Sequence, residues 1–226
     1  MDQSDLQAFE DDTREYIPGL QVVGKTDSLS QRLLGKVLFF NHTYMTGYVS
    51  TFYPVVYFPT KTDYEGHSTR SFIALAHERV HLLDTKRQPL WFRVSYLLPQ
   101  LLILPLLILA IAFAFVSLRA SISILGLVVL AALPWPSSGR TKLEKRGYAM
   151  TLAVYYWLTK EIPPELKLEI KGYFVGWSYY KMSWNSADID SWLTTTEQAI
   201  KSGTLIDDLV YGNVLQFMVN RGLLKT

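Results

Sequence analysis

Two histidines four residues apart, with a glutamate after the first, stand at His77, Glu78 and His81. On an α-helix that spacing projects both imidazoles from one face, about one turn from each other. Two such rings can share a Zn²⁺, each through one nitrogen at about 2.0–2.1 Å. Glu78 is then placed to act as general base toward a water on the metal. Three fixed residues of these types would coincide in roughly one chain of this length in two hundred. Here they fall in an apolar stretch, Phe72 to Leu83, where an unpaired carboxylate is costly to bury. Both facts favour a metal site over two surface histidines.

A catalytic zinc needs a third protein ligand. The sequence has no cysteine, which leaves histidine and carboxylate donors and excludes disulfides and a Cys nucleophile. Asp84 shares the face of His81, but seven residues from His77 is about 10 Å along an unbroken helix, too far for three donors to converge. Asp84 is therefore expected behind the ligands as an acceptor for His81, or paired with Lys86 or Arg87. Farther on, Glu144, Gly147, Tyr148, Thr151 and Tyr155 share one face of a predicted helix from Lys142 to Thr159. Gly147 lets another helix approach closely. Glu144 is the candidate third ligand, or else the partner of Lys142 or Lys145. Tyr148 either donates a hydrogen bond to an oxyanion or packs.

The metal helix is expected from about Thr69 to Thr85, with Ser68, Thr69 and Ser71 as plausible caps. Residues 44–59 are dense in aromatic and β-branched side chains and read as strands, broken or at an edge around Pro54. A short helix is expected in 26–40. Residues 1–18 carry six acids against Arg14 and read as a mobile or short helical tail. They lack the basic and apolar regions of a secretory signal. From Val94 to Leu118, and again from Ala120 to Gly139, no residue is charged. Each run is long enough to span, or nearly span, a bilayer. Basic residues on both outer flanks would place both on the cytoplasmic side of a helical hairpin kinked by Pro99, Pro105 and Pro134. A hydrophobic hairpin buried in an assembly is the alternative. Beyond Pro164, an aromatic group that includes Trp177, Tyr179, Tyr180 and Trp184 precedes two amphipathic stretches, 188–201 and 204–221. A formal net charge of +2 gives no case for a nucleic-acid surface.

His77-Glu78-x-x-His81, then two apolar segments, then a helical Glu144, resembles the membrane-integrated gluzincins. These are zinc metallopeptidases that cut peptide bonds near a membrane surface. The pattern also resembles small HExxH proteins encoded by tailed bacteriophages. The resemblance covers roughly Tyr48–Leu158 and implies zinc on His77, His81 and Glu144, with Glu78 as base. It also implies an edge strand beside the metal helix to which an extended substrate adds, here Tyr48–Phe58, with Tyr48, Phe52 and Val56 as substrate contacts; a plain β-hairpin covering the core is the alternative for this stretch. The family has an Asp four residues after its ligand Glu; this sequence has Tyr148 there, with Asp84 as the candidate substitute.

The expected fold is α+β: a mainly helical zincin-like domain with a small antiparallel sheet and a hydrophobic helical hairpin between the metal-ligand helices. Its parts are an acidic tail (1–25), the strand and HExxH part (26–93), the hairpin (94–139) and a C-terminal helical part (140–226). The expected function is zinc-dependent peptide hydrolysis through a metal-activated water. The rival is a non-catalytic membrane-associated or virion structural protein with a structural or vestigial zinc site. Expected partners are a peptide or protein substrate and a bilayer or hydrophobic assembly through 94–139, with no nucleic acid; an oligomer is compatible with these.

Overall fold

The computed structural model describes residues 1–38, 43–98, 100–133, 135–177 and 181–224. The last two positions of the helix expected in 26–40, and Pro99, Pro134, Tyr179 and Tyr180, lie outside them. In chain order the elements are α1 (Gln3–Tyr16), β1 (Gln21–Gly24), α2 (Leu29–Val37), β2 (Ser50–Phe52), β3 (Val55–Phe58), α3 (Lys61–Gly66), α4 (Ser68–Arg87) and α5 (Pro89–Leu97). Then follow α6 (Ile103–Ala114), α7 (Leu118–Ala132), α8 (Ser138–Thr159), α9 (Pro164–Val175), α10 (Ser186–Ser202) and α11 (Leu209–Asn220).

Among the described residues the fold is mainly helical, with a small three-stranded sheet. That sheet is mixed rather than antiparallel, because β1 pairs in parallel with β3 while β2 pairs antiparallel, giving the order β1-β3-β2. β1 has too few residues for an alternating pattern to announce it. Val56 is fully buried on the central strand, and β2 is left as an edge beside α4.

The acidic N-terminal segment folds as α1, whose start is fixed by a capping box between Asp2 and Asp5. Leu6 and Phe9 point inward, and the Phe9 ring lies 4.3 Å from that of Phe72 on α4 and 5.0 Å from that of Phe217 on α11. Burying side chains of this size stabilises the packing by about 1.5–3 kcal/mol each. Phe72, Leu75, Ala76, Val80 and Leu82 are all fully buried, so α4 is enclosed by core rather than apolar along one stripe. It packs against α1, α5 and α8. The α4–α8 pairing is what brings the two halves of the candidate site together.

The expected bilayer-spanning hairpin is corrected. Among the described residues, no helix is long and apolar enough to cross a membrane. The uncharged run beginning at Val94 is not one helix: α5 ends at Leu97, a 3-10 turn occupies Gln100–Leu102, and α6 has only 12 residues. At 1.5 Å per residue α6 is about 18 Å long and α7, with 15 residues, about 22 Å. Both fall short of a hydrocarbon core about 30 Å thick. The bilayer partner, the membrane localisation with cytoplasmic flanks, and the likeness to membrane-integrated peptidases as a group lose their basis with it. What stands of that resemblance is the HExxH motif with its later glutamate. α6 and α7 pack on each other, with the Ser121 hydroxyl donating to the Ala110 carbonyl at 2.8 Å.

Candidate metal centre

α4 carries His77 and His81 on the face turned to α8, and α8 presents Glu144 back toward them. The start of α8 is set by Ser137, whose hydroxyl accepts from the Arg140 amide. Close approach of the two helices is possible because residue 147 is glycine. A Cβ there would stand 2.5 Å from His77 Nε2 and 2.7 Å from its Cε1.

One donor atom from each of His77, His81 and Glu144 lies within 4.8 Å of the other two. His77 Nε2 and His81 Nε2 are 3.0 Å apart. Glu144 Oε2 is 3.5 Å from the first and 3.7 Å from the second. These separations bracket the about 3.3–3.4 Å between neighbouring donors around a tetrahedral ion with bonds of roughly 2.0–2.1 Å. The site is closed in: His77, His81 and Glu144 are 9, 5 and 2% exposed. Glu144 Oε2 is buried and has no hydrogen-bond partner among the described residues, while Oε1 accepts from the Tyr96 hydroxyl at 2.7 Å. A buried carboxylate oxygen left unpaired and aimed at two imidazole nitrogens fits a cation.

The electrostatics agree. Burial alone would push His81 down, but the Glu144 carboxylate, helped by Glu78 and Asp84, raises it to about 9. Burial would likewise raise Glu144, yet the His81 and His77 rings hold it well below the usual carboxylate range. The space between the three side chains thus favours positive charge.

The surrounding groups were legible only in part. His77 Nδ1 meets the Thr151 hydroxyl at 3.1 Å, and that hydroxyl also reaches the Gly147 carbonyl at 3.4 Å. A hydroxyl that donates to the carbonyl must accept from Nδ1–H, which leaves the lone pair on Nε2, the atom facing the centre. Thr151 lies on the same face of α8 as Glu144 and Gly147, and its sequence position alone does not distinguish it from a packing residue. His81 Nδ1 is buried and has no partner among the described residues. Asp84 turns instead to Arg146, which grips it through Nε at 2.9 Å and Nη2 at 3.2 Å and holds Asp208 at 3.0 Å. The ion pairs considered for Asp84 and Glu144 with neighbouring lysines are not those formed: Lys145 pairs with Asp188.

Glu78 is 7% exposed, and its Oε2 accepts from the Thr51 hydroxyl of β2 at 2.6 Å. Lys25 is fully buried behind this strand, its ammonium donating to the Tyr44 and Tyr48 carbonyls at 2.6 and 2.7 Å. Burial pushes it down to about 8, with the Glu78 charge pulling the other way. No local pattern links Thr51 or Lys25 to the motif, since the chain separation is large and only the sheet joins them.

Tyr148 packs edge-on against the His77 ring, centroids 4.7 Å apart, and stacks on Tyr173 at 5.7 Å. Of the three expected substrate contacts, Phe52 is 51% exposed on the edge strand and Tyr48 is half-buried. Val56 is enclosed on β3. A cavity of about 870 Å³ beside α8 is lined by Lys145, Arg146, Trp184 and Trp192 and by none of the His/Glu cluster.

The comparisons add no relative. No family model, curated protein or solved structure matches this chain.

Proposed function

We propose that the chain is a zinc-dependent peptidase, with His77, His81 and Glu144 holding the metal and Glu78 acting as general base. The observation that carries this reading is the convergence of the three donor atoms within 4.8 Å, from two helices joined through more than sixty residues of chain. When bound, zinc supplies a Lewis acid that polarises a carbonyl and lowers the pKa of water to about 7. Glu78 follows the first histidine on the same helix, its charge acts on the His81 ring, and it would be the group to take the proton. Thr51 fixes Oε2 of that carboxylate, which leaves Oε1 for the proton. An extended peptide would lie along the open edge of β2, reaching Phe52 and Tyr48, with Val56 contributing only through the packing of the strand behind. Tyr148, already against His77, is the candidate donor to the developing oxyanion.

A second reading, a metal brace without turnover, is favoured by the burial of Glu78 together with all three ligands. One experiment separates the two: Glu78→Gln, loaded with zinc and assayed on casein and a mixed peptide library. The peptidase reading expects zinc content unchanged and cleavage lost relative to wild type. Cleavage retained at the wild-type rate overturns Glu78 as base. A wild-type protein that binds zinc and cuts neither substrate supports the brace.

A further inference from the structure

We propose that Tyr96 makes Glu144 a one-oxygen ligand and thereby keeps a coordination position free. The proposal rests on the metal reading above and deepens it. The two oxygens of this carboxylate are treated differently by the protein: Oε1 accepts from the Tyr96 hydroxyl at 2.7 Å, while Oε2 faces the histidines at 3.5 and 3.7 Å and has no hydrogen-bond partner among the described residues. A carboxylate with both oxygens unengaged can close on a cation through the pair. Two histidines and a two-oxygen glutamate would supply four donors, the number that closes a structural zinc site, whereas three leave the opening a catalytic one requires.

Tyr96 is held for this task. The helix of the metal motif stops at Gln88, and Pro89 starts α5 in a new direction. α5 is then clasped to α8: Arg140 Nε donates to the Tyr96 carbonyl at 3.0 Å, and the Ser137 hydroxyl to the Ser95 carbonyl at 3.0 Å. Phe92 stacks on the Tyr96 ring with centroids 5.7 Å apart and planes within 8°, and meets His81 edge-on at 6.0 Å. The Arg140 guanidinium also lies 5.4 Å from the Tyr96 ring centroid, and the Tyr96 hydroxyl ends on a carboxylate that is itself 2% exposed. Tyr96 acts through Glu144 and is a positioning residue.

The test uses the full chain with Co²⁺ in place of zinc, comparing wild type, Tyr96→Phe and the packing control Phe92→Leu by visible absorption and azide titration. Tyr96→Phe keeps the ring and loses only the hydroxyl. The expected result is Co²⁺ uptake by all three proteins. In Tyr96→Phe alone, the visible bands weaken as coordination rises, and azide binds about tenfold or more weakly, the scale on which groups behind a metal ligand act. Wild-type spectrum and azide affinity in Tyr96→Phe overturn the proposal. So does the same change in Phe92→Leu, which would assign the effect to packing, and so does complete loss of Co²⁺ from Tyr96→Phe. A wild-type chain that takes up no Co²⁺ overturns the metal reading itself, and this inference with it.

Discussion

Gly147 on α8 and His77 on α4 approach so closely that a methyl group on the glycine would stand 2.5 Å from the imidazole Nε2. The first prediction follows from that distance. His77 cannot retreat without breaking its contact with Thr151, and Nε2 is the atom that faces His81 and Glu144. Gly147→Ala is therefore expected to fold yet bind zinc about 10–100-fold more weakly, read by competition with a chromogenic chelator. Affinity equal to wild type would show that the helices part without cost.

Arg79 supplies a second prediction. It is fully buried on the α1 side of α4, bonded to Asp12 and Thr13, with its guanidinium 4.5 Å from the Tyr16 ring. Its Nε and Nη2 have no partner among the described residues, so Asp12 is its main compensation. Asp12→Ala strands a buried cation and should cost about 3–5 kcal/mol in urea unfolding. Arg79→Met removes the charge along with its partner's task and should cost less. The reverse order would contradict this assignment.

Lys25 makes stability depend on pH in the alkaline range. Its ammonium is pushed down from 10.5 to about 8 in the folded chain, first by burial. Between those values the unfolded chain carries a proton that the folded chain does not, so stability from this residue rises as pH increases from about 8 toward 10.5. It is lost as pH falls through about 8. Unfolding midpoints measured across this window should climb for wild type relative to Lys25→Met. Parallel curves would contradict the buried cation.

The readable part of the site was the part written in the local pattern of each of two helices, α4 and α8. His77 and His81 are fixed by a four-residue spacing, and Glu144 was marked by a glycine three residues on, the position that proves to touch His77. Thr51, Tyr96 and Arg146 escaped because each reaches its partner across tertiary structure, 27, 48 and 62 residues away in the chain. The apolar run misled for a related reason. Absence of charge measures hydrophobic length, whereas crossing a bilayer requires helical length, and turns at Gln100–Leu102 and Phe115–Ser117 divide the run. In the N-terminal segment Asp2, Asp11 and Glu15 face outward as a tail's acids would, but Leu6, Phe9 and Thr13 keep a buried helical stripe, and Glu10 is buried with it, accepting from the Tyr64 hydroxyl at 2.6 Å.

The most direct measurement is metal content by elemental analysis after zinc loading and exhaustive dialysis, on wild type beside Glu144→Ala and His77→Ala. About one zinc per wild-type chain, with the metal lost from both variants, is the expected result. Wild-type protein that emerges without zinc, or variants that retain it in full, would contradict the metal centre and the function built on it.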